Sequence, residues 1–504
     1  MDPTPANDEV LRKLQELCYP SSVAVLGASE SVVKWGSLLT TNLLYGKFEG
    51  PIYPINPRIK TLLGLPVYPD LAACPGPVDL AFITLPAAKV IAAVRECAAK
   101  GVKNVVIISS GFSEIGAAGA ELEKELVAEV RRGGMRMIGP NTMGIISGYQ
   151  SVYSTGSLAV PPRGGISMIS QSGNLGTQVV AWAEEQGVGI NKFFGTGNEG
   201  DINSTDLLRY LAHDDSTKAV LAYIEGIDDG RTFLKVAREA AIRKPVVMLK
   251  SGRTIEGSKA ASSHTGALSG SHAIWKGAMR QAGVFLVNNP MDLIDGAAGM
   301  QYLPMPRGYR VCVVTLGGGW GVVASDLCRE NGLRLPPLPK TVIERLDKIL
   351  PPFWSRANPI DLVGQIDLHT YSEAFSAAAE SDEYDAVITL GCIGSSAYAF
   401  DIIKTIHEIS PESANDAMVE QFRSLSDEME KAIRNDIVRL TKQYGKPIVN
   451  VSLDKRHSKI ILPADNDECI VAFNTPEKAV RVLAGLSYYS AWRKWALSQR
   501  AGKV

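Results

Sequence analysis

Along the chain, short runs of near-continuous apolar residues recur, each stopped by Gly, Pro, Ser or Asn and followed by a stretch of helical periodicity. In the first segment these runs are SVAVLGAS, PIYPINP, VDLAFITLP, NVVIISSGF and MRMIGPN. A run that is apolar at every position suits a parallel strand buried on both faces, so the pattern predicts a βαβ series. After the Pro/Gly break AVPPRGG at residues 159 to 165, a second series opens with GGISMISQSGNLG, and further strands are expected at 190–195, 219–224, 245–249 and 283–287. A third opens after LPMPRGYR with RVCVVTLGGGWG and runs through YDAVITLG and KPIVNVS to an amphipathic C-terminal stretch. The expected class is therefore α/β, with domains over residues 1–158, 159–304 and 305–504. The densely charged stretch at 412–445 is expected to be a solvated surface helix.

Length and composition agree with this division. A chain of 504 residues is long enough for roughly three domains, each with its own core. Lys plus Arg number 52 against 53 Asp plus Glu, which excludes the broad basic field of a nucleic-acid binder, so an anion site has to be built locally. The 7 cysteines are scattered without a C-x-x-C pair and read as reduced, mostly buried thiols. The opening MDPTPANDEVLRKL lacks the features of a signal or transit peptide, and no apolar run is long enough to span a bilayer. A cytoplasmic protein with no membrane contact is expected.

Candidate chemistry lies where strands end. Gly27-Ala28-Ser29 follows the first strand, where a small turn lets backbone N–H groups approach the phosphates of a nucleotide. The second strand ends in Asn56-Pro57-Arg58, with Lys60 close by, and not in the acidic residue that would hold an NAD ribose; a dehydrogenase is disfavoured, while Arg58 and Lys60 suit the additional phosphate of CoA. Pro86-Ala87, Ser110-Gly111 and Gly139-Pro140-Asn141 fall at the ends of the next three strands and line the same rim. Each alone reads as a structural turn sooner than as a contact; their convergence on one crevice is what favours a site.

In the second series, Ser170-Gln171-Ser172-Gly173-Asn174 stands between a strand and a helix, where free N–H groups would bind a phosphate without any Lys. Ordinary N-capping by Ser and Asn is the alternative. Ser262-Ser263-His264-Thr265-Gly266 sets one imidazole among small residues, which leaves room for a phosphoryl group and its in-line attack. Glu225 ends the strand AVLAYI and could orient that imidazole by fixing its tautomer, or instead cap the following helix. In the third series, Gly317-Gly318-Gly319-Trp320-Gly321 and Asn358-Pro359-Ile360-Asp361 lack the Lys-Ser/Thr ending of a P-loop and read as packing surfaces. No metal site is expected on this chain.

Taken in order, VLGAS, PINP, LPA and GPN, then SQSGN, YIEG and SSHTGAL, then GGGWG and NPID, the motifs resemble the α subunit of ADP-forming acetyl-CoA synthetases, in the succinyl-CoA synthetase superfamily. The resemblance covers nearly the whole chain and implies a Rossmann-like CoA-binding domain followed by two flavodoxin-like domains. It implies phosphorylation of His264, its orientation by Glu225, and a phosphate cradle at 170–174. CoA is then expected against Gly27, Ser29, Asn56, Lys60, Pro86, Ser110 and Gly111. The implied reaction is acyl-CoA + ADP + phosphate to carboxylic acid + CoA + ATP, through an acyl phosphate and then phosphohistidine. No ATP-grasp module is legible in the sequence, so ADP/ATP and Mg2+ would sit on a separate β subunit, in an α2β2 assembly. A CoA-binding regulatory or scaffold protein without turnover is the alternative. The charged insertion departs from the shorter third domain that the resemblance leads one to expect.

Overall fold

The computed structural model describes residues 9–259, 271–454 and 457–501. It divides into two compact units, Met1–Ala297 and Ala298–Val504. The first unit holds two sheets. In one, β1 (Val23–Leu26), β2 (Ile52–Ile55), β5 (Leu80–Ile83), β6 (Asn104–Ile107) and β7 (Arg136–Ile138) lie parallel in the order β2-β1-β5-β6-β7. A two-residue ribbon, β3 (Thr61–Leu62) with β4 (Leu65–Pro66), stands apart from it. The central strands are buried at every position, as their apolar runs require, and the one polar residue among them, Asn104, donates to the Lys13 carbonyl. Ala24, Leu26, Ala81, Ile83, Val105 and Ile107 pack with Val94, Cys97, Leu126 and Val130 of the crossover helices Ala87–Lys100 and Ala117–Arg132.

The second sheet contains β8 (Gly144–Ser147), β9 (Val152–Thr155), β10 (Arg163–Ser170), β11 (Ile190–Gly195), β12 (Ala219–Ile224), β13 (Val246–Lys250) and β14 (Phe285–Val287), in the order β14-β13-β12-β10-β11-β8-β9. Five of these strands are parallel. The hairpin β8–β9 precedes the Pro/Gly break at 159 in the chain, yet it joins this sheet as an antiparallel edge through Phe193 opposite Ile146.

The second unit carries β15 (Val311–Thr315), β16 (Ile360–Asp361), β17 (Ala386–Leu390), β18 (Ile448–Val451), β19 (Ile461–Pro463) and β20 (Cys469–Phe473), in the order β16-β15-β17-β18-β20-β19. The charged stretch does form a helix, Asp416–Tyr444, but it is not solvated all round: on one face of its C-terminal half, Ile433, Ile437 and Leu440 are buried in this unit's core. The dense charge on one face obscured an apolar stripe on the other. Of the cysteines, only Cys469 is not fully buried, and all seven are free thiols.

All three sheets share one winding. Ignoring added edge strands, the parallel order is second, first, third, fourth, fifth, so the chain reverses direction across the sheet between the first strand and the third. A crevice opens at that reversal, outside the carboxyl ends of the strands, and it is where ligands bind in such sheets.

Candidate functional site

In the first sheet the reversal lies between β1 and β5, which puts Gly27-Ala28-Ser29 beside Pro86. Gly27 has φ +97°, and a side chain there would strike Thr84, whose hydroxyl donates to the Leu26 carbonyl at 2.9 Å. Asn56 acts as a strap: its Nδ2 donates to the Ala28 carbonyl at 2.6 Å, and its Oδ1 accepts from the Arg58 amide at 2.9 Å. The strap leaves Pro57, Arg58 and Lys60 exposed on the rim. Ser110 and Pro86 are exposed as well, whereas Ala28 is buried. The Gly111 amide is already engaged by the Glu114 carboxylate. Burial would push the Glu114 carboxyl up, but donors from Asn198 and from the Gly111 and Phe112 amides outweigh it and hold the group below its ordinary value.

In the second sheet the reversal lies between β10 and β12, which brings 170–174 against Glu225. The helix Gly173–Glu185 starts there, and the side chain of its N-cap, Ser172, makes no capping hydrogen bond. First-turn amides therefore face the crevice without the usual side-chain acceptor. The five predicted phosphate residues separate into two groups. Ser170 is buried, with its hydroxyl donating to the Ser172 carbonyl at 2.6 Å. Gln171 spends its whole amide on the loops: Nε2 donates to Glu199 Oε1 (3.0 Å) and the Gly226 carbonyl (2.9 Å), while Oε1 accepts from the Glu225 amide (2.6 Å) and the Gly226 amide (3.0 Å). Ser172, Gly173 and Asn174 are the three left open to an anion.

Glu225 is buried just past the end of β12. It is not the cap of the next helix: Asp229 caps Gly230–Arg243, accepting from the Arg231 and Thr232 amides at 3.1 Å each. Lys250, at the end of β13, donates to the Glu225 carbonyl at 2.6 Å and lies over the Trp275 ring at 5.8 Å. Burial lowers the Lys250 pKa, and the Glu225 carboxylate works against that shift. Burial raises the Tyr223 hydroxyl, and the neighbouring Glu225 carboxylate raises it further. His264 and the rest of 262–266 lie outside the described residues. Glu225 thus stands in a partly desolvated cluster with Tyr223, Lys250 and Ser251, where a charge acts more strongly than in water.

The segment after β11 was not singled out in the sequence. Thr196-Gly197-Asn198-Glu199-Gly200-Asp201 joins the two rims. Asn198 Nδ2 donates to Glu114 (2.6 Å) and Glu123 (2.9 Å), and its Oδ1 accepts from Asn141 Nδ2 (3.1 Å). Glu199 accepts from Gln171 and Ser204, and burial nonetheless raises its pKa. The buried Asp201 takes Arg136 Nε at 2.7 Å, Arg131 Nε at 2.9 Å and the Met137 amide at 2.9 Å. The available signal was a strand end followed by glycines that alternate with acidic and amide residues.

Residues 21–148 match the model of a CoA binding domain, 163–300 that of a succinyl-CoA ligase like flavodoxin domain, and 311–399 that of a ligase-CoA domain. Over 95% of its length the chain is 33% identical to acetate–CoA ligase (ADP-forming) I subunit alpha of Pyrococcus furiosus, 98% of which it covers. The chain belongs to the ADP-forming acetate–CoA ligase family.

Within the family, it is 39% identical over 75% of its length to acetate–CoA ligase (ADP-forming) I of Archaeoglobus fulgidus, and it spans 54% of that relative. The chain therefore covers about half of one ligase and nearly all of an alpha subunit of another. The solved dinucleotide forming acetyl-coenzyme A synthetase 1 of Ca. Korarchaeum cryptofilum, in complex with phosphate and ADP, superposes with a TM-score of 0.80 at 32% identity, over 96% of this chain and 98% of that one. Membership favours the alpha-subunit reading over a regulatory or scaffold protein. Among the described residues no helix is long and apolar enough to cross a membrane.

Proposed function

We propose that this ADP-forming acetate–CoA ligase alpha chain binds CoA on the first rim and carries phosphate on His264 at the second. Phosphate attacks the acyl-CoA carbonyl, releasing CoA thiolate and forming an acyl phosphate. His264 then takes the phosphoryl group, freeing the carboxylate, and passes it to ADP to give ATP. The observation that carries the reading is the uncapped helix start at Ser172 facing the buried Glu225 across one strand reversal, with the Gln171 side chain bonded to the backbone of Glu225 and Gly226. An anion held by Ser172, Gly173 and Asn174 lies at the positive end of a helix, and the Glu225 carboxylate holds one ring nitrogen of His264 protonated so that the other attacks phosphorus. On the first rim, Ser29, Arg58, Lys60, Pro86, Ser110 and Asn141 receive CoA, while Gly27, Ala28, Asn56, Pro57 and Gly111 shape the turns.

ADP and Mg2+ bind on a separate ATP-grasp β subunit in an α2β2 enzyme of the cytoplasm. Incubating the copurified complex with acyl-CoA, ADP and labelled phosphate tests this. The label on this chain is expected to be acid-labile, base-stable and lost in His264→Ala; a label that survives that substitution sinks the assignment. Recovery of this chain without any nucleotide-binding partner would sink the split assembly.

A further inference from the structure

We infer that Met143 and Trp35 form the floor on which the acyl group lies between the two rims, and that they set its size and polarity; the inference rests on the ligase reading above. Trp35 begins the helix Trp35–Tyr45, and its neighbour Gly36 sits so close to the first rim that a methyl group added there would fall 2.1 Å from the Gly27 carbonyl oxygen. Met143 lies two residues beyond Asn141, on the segment that leaves the first sheet for the second. The backbone around it is pinned: the Thr142 hydroxyl donates to the Gly195 carbonyl, and the Gly144 amide donates to Thr142 Oγ1 at 3.1 Å.

The Met143 side chain runs between two glycines. A methyl group at Gly173, the first residue of the phosphate helix, would stand 2.0 Å from Met143 Cγ. One at Gly156 would stand 2.2 Å from Met143 Cε and 2.7 Å from Trp35 Cη2. Both side chains remain half-buried, so each keeps a face toward solvent. The path from the CoA turn at Gly27 to the phosphate helix at Gly173 thus crosses an indole, a thioether and a glycine. A thioester carbonyl bound at the first rim has to meet phosphate held at the second, and its acyl tail then rests on this path.

The floor made by Trp35, Met143, Gly156 and Gly173 carries no charge. It favours a short acyl group with an apolar far end, because a second carboxylate set down there would be desolvated without a cation. The long, unbranched Met143 limits the tail's length, and a shorter residue there opens room that the tail can fill.

The test compares thioester formation from acetate, hexanoate and succinate by the complex of this chain with its partner subunit, wild type against Met143→Ala and Trp35→Ala. The ratio of kcat/KM for hexanoate to that for acetate is expected to rise about tenfold or more in Met143→Ala, the scale on which a hydrophobic pocket discriminates by methylenes. Trp35→Ala moves it in the same direction, and succinate remains the poorest substrate throughout. An active Met143→Ala enzyme with an unchanged ratio overturns the inference and leaves the ligase reading standing. Should that variant fail to fold, an unchanged ratio in Trp35→Ala overturns it equally. Wild-type turnover of succinate on a par with acetate also refutes the apolar floor. A wild-type complex that forms no thioester from any acid overturns the ligase reading, and this inference with it.

Discussion

The second and third sheets enter their crevices by the same backbone route and differ in what they aim there. In the second, the Ser170 hydroxyl donates to the Ser172 carbonyl at 2.6 Å and the Gln171 amide to the Tyr223 carbonyl at 3.2 Å. In the third, the Thr315 hydroxyl donates to the Gly317 carbonyl at 2.8 Å and the Leu316 amide to the Leu390 carbonyl at 3.0 Å. The helices that follow, Gly173–Glu185 and Gly318–Glu330, both start without a side-chain cap. Yet where the second sheet has Gln171 and Glu225, the third has Leu316 and Cys392. Winding and helix entry are enough to make a crevice; two side-chain positions decide whether the strand itself ends in a carboxylate, while the third sheet's rim takes its buried carboxylate, Glu430, from a helix.

Converting one rim toward the other tests that lesson. Glu225→Cys installs the third sheet's residue and is expected to slow phosphohistidine formation by about 10²- to 10⁴-fold, the range ascribed to a positioned acid or base, with little change in the KM for CoA. Rapid-quench labelling measures it; a rate near wild type would free Glu225 of the role. Asp201→Ala unmoors the second rim from the first by leaving Arg136 and Arg131 without their carboxylate. A loss of about 3 kcal/mol in urea unfolding is expected, and a loss below about 1 kcal/mol would mean that water replaces the bridge.

Gln171→Leu, again the third sheet's residue, strips the Glu225 and Gly226 amides of their acceptor and should cost about 2 kcal/mol. Here the pH dependence carries a sign. Burial raises the Glu199 pKa in the folded state, so its contribution is complete below the ordinary value of 4.5 and is lost as pH rises through the folded value. Removing the Gln171 donor raises that value further, so the variant's deficit should widen as pH rises through the wild type's folded value, above 4.5. A pH-independent deficit would break the link between Gln171 and Glu199. The smallest effect belongs to the first rim: the exposed pair Arg58→Ala and Lys60→Ala should raise the KM for CoA about fivefold together, less so in high salt. An unchanged KM would move the CoA phosphate elsewhere.

The strands and their rims were legible because buried parallel strands leave a plain signal: GISMIS and AVLAYI contain no charged residue, and the turns after them are rich in small residues. The positions of Glu225 and Ser172 followed from those strand ends. What each polar residue does there was not legible. Nothing in the local pattern distinguishes Gln171, consumed by four loop contacts, from Asn174, which faces solvent; only the fold brings residue 171 to residues 199 and 225. Asp201 was missed for the same reason, since its partners at 131 and 136 are chosen by the meeting of two sheets. In the helix Asp416–Tyr444, Ile433, Ile437 and Leu440 carry the helical spacing of a buried stripe, and the charge around them drew attention away from it.

The hairpin β8–β9 bears on how the gene can be divided. A cut at the Pro/Gly break near 159 looks clean in the sequence, but it would leave Ile145 and Ile146 on one fragment and their partners Phe194 and Phe193 on the other. Each piece would then carry an open strand edge shaped for the other, prone to sticking when alone. Coexpressed, the two fragments should reassemble; a split placed ahead of Gly144 would keep the second sheet whole, but it would still part Arg131 and Arg136 from Asp201 and Asn42 from the Thr155 carbonyl.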